Sequence, residues 1–383
     1  MTFRPLVIVT LDGWQAASLG CYGSSWNATP AIDRLAASGT VWDRWIAPST
    51  SAREILGRWF RPPAAGDWQA AVRPHGSVDL VTDDAVAVAA AGEQAFDRIV
   101  RLQVDRRKAG GRPAAESEQT RFGRLIAAAA ETFGEGSAAI WVHTAFLAEE
   151  WDAPPDYHSF DPWDDPAAVG EHLDRPGPPR VRLAGDDDPD LVSHWMRSYA
   201  AQVRLVDEWL GVLWRSLRER DPMLVLTATG GFSLGQNGWI GHRVGPLRSC
   251  ELRLPMILSP GPRLRIPHVT DAGGLPGLLR RSAGGDDDSP FDASSWAAAD
   301  DEFCPAVISR VADWGDGQAM PGANAVTSRR WFLVRDPAAN PDADDSPGTR
   351  LFLKPDDVDD VNDVSSRSPD AVSRLSAMLA DDA

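Results

Sequence analysis

The side chains that could do chemistry stand at the ends of short apolar runs. Asp12 closes Leu6-Val-Ile-Val-Thr-Leu11, where a strand-end aspartate caps the following turn. His143 follows Ala138 to Val142, either as a pocket imidazole or as a strand-end histidine bonded to backbone. The segment Ala47-Pro-Ser-Thr-Ser-Ala-Arg-Glu54 offers the hydroxyls of Ser49 and Thr50 as nucleophiles, which need an activating base or metal. The same segment also reads as a Ser/Thr-capped turn opening a helix from about Ser51, with Arg53 able to face an anion at the helix start. The turn Thr227-Ala-Thr-Gly-Gly-Phe-Ser-Leu-Gly-Gln-Asn-Gly238 contains no carboxylate, histidine or cysteine. What it can offer an oxyanion is the backbone N–H of Gly230-Gly231. Beyond it, His242-Arg243 is either a site pair or an exposed loop pair.

These positions call for buried strands that end together. Leu6–Leu11 is a continuous β-branched run, the pattern of a strand covered on both faces. Further strands are predicted at 77–82, 138–142, 223–227 and 254–258. Thr29-Pro30 opens a helix through Leu35, with Thr29 as its cap and proline at the first helical position. From Leu191 to Leu217, Val192, Trp195, Tyr199, Val203, Val206 and Leu210 recur at spacings of three and four, giving one apolar stripe. Strands alternating with helices predict a mainly parallel sheet with helices on both faces. Asp152 to Asp190, rich in Pro and Asp, reads as an irregular excursion, and Arg280 to Asp301 as a surface loop. Trp331–Val334 and Leu351–Leu353 pair as strands, and Ser368-Pro369 caps a last helix through Leu379. The expected organisation is an α/β domain over 1–300 and a small α+β subdomain over 301–383.

A formal charge of -17 across 383 residues argues against nucleic acid and against an anionic membrane surface. Acidic runs such as Asp286-Asp-Asp288 adjoin Pro and Gly and read as solvated loops. Cys21, Cys250 and Cys304 are too few and too scattered for a disulfide framework or a zinc motif, and are expected to be reduced. No apolar run is long enough to span a bilayer, and Leu6–Leu11 already reads as core, so a cytoplasmic protein is expected.

Several ordered segments resemble the sulfatase family of the alkaline-phosphatase-like superfamily. They are Arg4–Asp12, Leu19-Gly-Cys-Tyr-Gly23, Thr29–Ala36 and Ala47-Pro-Ser49, then Tyr199–Asp207, Leu252–Leu258 and the ending from Arg350. The Thr227–Gly238 turn is similar to the family's late metal motif, T-S-D-H-G-E-x-L-G-E-H-G, with neutral residues in place of its acids and histidines. The resemblance implies an α/β sulfatase fold and a formylglycine nucleophile made from Cys or Ser. It also implies calcium or magnesium held by carboxylates, Lys and His at the leaving oxygen, and a sulfated small molecule or carbohydrate as ligand.

Carried over residue by residue, Asp12 takes the first metal-ligand position, followed by Gly13 where a second acid is usual. Thr229 and Gly230 fall on the late Asp and its neighbour. One register puts Ser49 at the nucleophile with Arg53 on the family arginine; the other puts Thr50 there. His143 matches a histidine near the sulfate, and His242-Arg243 falls near the family lysine. One acid at the matched positions is few for a cation that takes about six to eight oxygen ligands. The expectation is a degenerate member, a pseudoenzyme with weak or no metal-dependent sulfate-ester hydrolysis and no tightly bound calcium or magnesium. The alternatives are an active enzyme whose Asp12 is joined by Asp83, Asp84 or Asp152, and a non-catalytic anion-binding or interaction scaffold. Trp151 to Tyr157 offers an aromatic platform for a sugar.

Overall fold

The six side chains of β1 (Leu6–Leu11) are buried on both faces of the sheet, each large aliphatic contributing about 1.5–3 kcal/mol by leaving water. The computed structural model describes residues 3–104, 113–158, 177–184, 187–188, 190–241, 247–284, 301–311, 324–336 and 348–381. Strands β2 (Thr40–Ile46), β3 (Val78–Thr82), β4 (Arg98–Arg101) and β5 (Ala139–Thr144) come first; β6 (Val181–Arg182), β7 (Met223–Ala228), β8 (Ser233–Leu234) and β9 (Trp239–Gly241) follow. The chain then forms β10 (Arg253–Leu254), β11 (Met256–Ser259), β12 (Leu264–Asp271), β13 (Ala306–Arg310), β14 (Asn324–Ser328), β15 (Trp331–Asp336) and β16 (Gly348–Leu353).

Among the described residues the central sheet runs β10-β2-β11-β7-β1-β5-β3-β4, with β12 beside β2. Pairs β7-β1, β1-β5, β5-β3, β3-β4 and β2-β12 are parallel, while β11 runs against both β2 and β7. Register fixes the working edge. Leu11 lies opposite Thr144 and Ala228, so Asp12, Ala145 and Thr229 leave the sheet together.

Helices surround this sheet: α1 (Pro30–Ala37), α2 (Ala52–Phe60), α3 (Trp68–Val72), α4 (Ala85–Ala91), α5 (Arg121–Gly134), and the long helix Asp190–Leu217. The C-terminal region adds the antiparallel sheet β13-β14-β15-β16, with the helix Pro369–Asp381 packed on it through Ala371, Leu375 and Leu379. The predicted α/β architecture and its small C-terminal α+β region are therefore present.

Three local expectations change. The run 254–258 is two strands, because Pro255 lacks the N–H that a continuous ladder needs. Thr29 does not cap α1: its hydroxyl accepts from Gly20 N (2.9 Å) and faces Asp33 Oδ1 (3.2 Å). Asp207 reaches across from the long helix instead and accepts from Ala31 N (3.1 Å) and Ile32 N (2.7 Å). The C-terminal pair of strands is part of a four-stranded sheet. Most of the 152–190 excursion and residues 285–300 lie outside the described residues. All three cysteines are free, and no described helix is long and apolar enough to cross a membrane.

Candidate active site at the carboxyl edge

Asp12 leaves β1 into a tightly held turn. Its N–H donates to Thr144 O (2.9 Å), and Gly13 adopts φ 77, a left-handed conformation that suits glycine. A Cβ on Gly13 would meet Ala148 N at 3.1 Å. The buried Tyr199 hydroxyl donates to Gly13 O (2.8 Å) and accepts from Gln15 N (2.9 Å), so the long helix holds this turn in place. Tyr199 is stacked on Phe232 of the glycine-rich turn. Across the edge, Thr229 N donates to Leu11 O (3.0 Å) and Trp14 N to Gly230 O (2.9 Å). The Thr229 hydroxyl then donates to Asp12 Oδ1 at 3.1 Å.

Gly231 is committed as well. Its N–H donates to Glu251 O (2.9 Å), and a Cβ there would lie 2.1 Å from Cys250 O. The expected Gly230-Gly231 oxyanion cradle is thus short of the Gly231 donor.

The Ser49 segment is a helix start braced by the C-terminal sheet. Ser51 caps α2 by accepting from Glu54 N (3.3 Å). Ser49 is 1% exposed; its hydroxyl donates to Glu54 Oε2 (2.7 Å) and accepts from Ser51 N (3.1 Å). Thr50 N donates to Arg310 O (3.1 Å), Arg310 N to Pro48 O (3.2 Å) and Ser309 Oγ to Ala47 O (2.6 Å), which ties the segment to β13. Arg53 is exposed on the first turn of α2. No described hydrogen bond or ion pair joins Asp12 to Ser49, Arg53 or His143.

His143 is fully buried between strands rather than open to a pocket. Its Nδ1 lies 2.8 Å from Thr10 Oγ1, which accepts from Trp141 Nε1 at 2.9 Å. The Thr10 hydroxyl also lies 3.3 Å from Val142 O, so it either donates to Nδ1 or accepts from it while donating to that carbonyl, according to the imidazole tautomer. Nε2 sits 3.3 Å from Asp84 Oδ2, within ion-pair distance but off the axis of a hydrogen bond. Asp84 also caps α4 through Val86 N (2.8 Å). Burial acts to raise the Asp84 pKa; His143 and the Val86 N–H outweigh it and hold the carboxyl below its ordinary value.

Next to this pair lies a buried cluster centred on Arg121, the first residue of α5. Its guanidinium grips Asp83 with Nε–Oδ2 at 2.6 Å and Nη2–Oδ1 at 3.0 Å, and reaches Glu149 Oε2 at 3.0 Å. Thr144 Oγ1 adds a third bond to Asp83 at 3.0 Å. Asp152 accepts from the Arg121 backbone N–H at 2.7 Å. Burial lifts the Asp152 carboxyl to about 6, against the pull of that N–H, and nearby Glu150 adds to the rise.

No protein-family model and no curated protein matches the chain. Solved structures do. One is a phosphonate monoester hydrolase of Agrobacterium radiobacter, 16% identical, with a TM-score of 0.68 over 98% of this chain and 94% of that one. Another, 14% identical with a TM-score of 0.68 over 99% of this chain and 97% of its own, is in complex with its substrate D-glucosamine-2-N,6-O-disulfate. A third is a 2-O GAG sulfatase, 12% identical, with a TM-score of 0.68 over 99% of this chain and 92% of that one. The chain has the sulfatase fold.

Within the sulfatase fold, the residues at this edge do not fit the hard dication that the resemblance implies. Asp12 faces a hydroxyl donor where a cation would need another anionic oxygen. Among the described residues no three of His, Cys, Asp and Glu converge on a metal position. Asp83, Asp84 and Asp152, the candidate replacements, are turned to Arg121, His143 and backbone N–H groups. His242 lies outside the described residues. Trp151 is not a sugar platform: it is 5% exposed, donates to Leu147 O (2.9 Å) and packs against Tyr199 and Phe232. Arg121 escaped sequence reading, since one arginine opening an apolar helix gives no hint of partners distant in sequence.

Proposed function

We propose that this chain is a divergent sulfatase-family protein in which ordinary metal-dependent hydrolysis of sulfate esters is lost. Its fold serves as a scaffold for a sulfated small molecule or carbohydrate, the ligand class suggested by a neighbour's D-glucosamine-2-N,6-O-disulfate. The observation that carries the reading is the Thr229 hydroxyl on Asp12, a neutral donor where a dication requires charge. The buried Ser49 supports it, because a hydroxyl held by Glu54 and Ser51 N is not presented to a substrate. Hydrolysis of 4-nitrophenyl sulfate with added calcium or magnesium tests the proposal in wild type and Asp12→Ala. Equal background rates are expected. A metal-stimulated rate in wild type that disappears in Asp12→Ala would restore an active enzyme.

A further inference from the structure

A cavity of about 890 Å³ opens between the β2–β12 border of the central sheet and the C-terminal sheet; neither Asp12 nor Ser49, Thr229 or His143 lines it. Its walls carry five cations, Arg44, Arg253, Arg329, Arg330 and Lys354, against three carboxylates, in a chain whose net charge is -17. Local pairing removes part of this charge. Lys354 Nζ meets Asp360 at 2.5 Å, and Arg330 lies 3.7 Å from Glu302. Asp43 is engaged by Arg265 at 2.7 Å, a residue outside the lining.

Arg44 and Arg253 are held differently. Arg44 is 9% exposed, and its guanidinium donates to the carbonyls of Arg329 (2.5 Å) and Ser328 (2.7 Å). Arg253 Nε donates to the Asp43 carbonyl (2.8 Å), and its guanidinium lies 5.8 Å from the centre of the Tyr22 ring. Carbonyl oxygens orient a guanidinium without neutralising it; the Asp359 carboxylate interacts with Arg253 through its field. Burial, and then the positive charge of Arg253, push Arg44 down to about 10. Two like charges sharing a low-dielectric wall are relieved by an anion placed between them. Much of the remaining wall is apolar, formed by Ala17, Tyr22, Ile46, Leu252, Pro267 and Val358. A volume of about 890 Å³ is that of an organic-ligand site and far exceeds what an inorganic ion fills.

We infer that this cavity binds an organic anion: one sulfate, phosphate or carboxylate group on an apolar or ring-shaped body, its charge directed at Arg44 and Arg253. The site goes beyond the reading of the Asp12 edge and does not depend on it.

Calorimetric titration of the full chain with phenyl sulfate, beside inorganic sulfate, tests the site. Phenyl sulfate should bind at least about 10-fold more tightly than inorganic sulfate, since only the ester uses the apolar wall. Phenyl phosphate and benzoate, titrated in parallel, assign the preferred head group. Arg253→Gln should weaken phenyl sulfate about 10-fold or more. Val358 is 49% exposed at the cavity wall, so Val358→Trp obstructs the space while keeping every charged side chain, the core and the carbonyl that accepts from Lys354 Nζ, and should weaken binding comparably. Unchanged unfolding midpoints establish that each variant is folded. Absence of saturable binding, or wild-type affinity in either folded variant, would overturn the inference.

Discussion

The carboxyl ends of β1 and β7 and those of β3 and β5 belong to one edge of one sheet, yet they treat charge in opposite ways. At the first, Asp12 meets a threonine hydroxyl. At the second, Asp83, Glu149 and Asp152 gather around Arg121, with Asp84 turned to His143. The acid-rich place is no better prepared for a dication than the acid-poor one. A guanidinium already occupies its centre and holds Asp83 and Glu149, while Asp152 accepts a backbone N–H and Asp84 faces His143. Counting acids near strand ends therefore overstates metal binding; what matters is whether their charge is answered from within the chain.

The largest effect is expected at Arg121. Asp83 and Arg121 have side chains only 1% and 3% exposed, so removing the cation strands a buried carboxylate. Arg121→Met should cost about 3–5 kcal/mol in urea unfolding, and a neutral result would mean the cluster is not internally balanced. The converse change sharpens the first region. Thr229→Asp places a second carboxylate beside Asp12, and calcium at about 100-fold over its Kd should then stabilise the variant by roughly 2–3 kcal/mol while leaving wild type unmoved. Equal stabilisation of both proteins would remove the distinction.

Acidity separates the regions more gently. The Asp152 carboxyl titrates at about 6 in the folded protein against an ordinary 3.8, so the folded state holds this proton more tightly than the unfolded one. Its contribution is complete below the ordinary value and is lost as pH rises through about 6. Relative to Asp152→Asn, wild type should lose about 1–3 kcal/mol between roughly pH 4 and 7; parallel stability curves would contradict the assignment. The smallest effect is expected at Thr229→Val, which removes one hydrogen bond to a partly exposed carboxylate and should cost about 0.5–1.5 kcal/mol.

The frame of the fold is legible wherever burial is complete. β1, β5 and β7 are largely apolar runs covered on both faces, β3 is buried too although it carries Asp79, and the long helix declares itself by its stripe. Less legible are β2 and β12. Asp43 and Arg44 interrupt the first and His268 the second, because this border lines the cation-bearing cavity; Arg265 of β12 lies outside it and pairs with Asp43. At the site, Asp12 and Thr229 are brought together as their positions predict, since both follow residues in register. Ser49 and His143 are drawn elsewhere by partners that periodicity does not encode: Glu54 from the following helix, Thr10 from the neighbouring strand and Asp84 from the end of β3. The Arg121 cluster is likewise invisible until β3, β5 and α5 are assembled.

Titration calorimetry with calcium and with magnesium asks whether the Asp12 edge has enough negative oxygens to hold a hard dication. No saturable heat is expected at micromolar concentrations in wild type, and the same trace is expected for Asp12→Asn. A stoichiometric micromolar site in wild type that vanishes in Asp12→Asn would contradict that expectation.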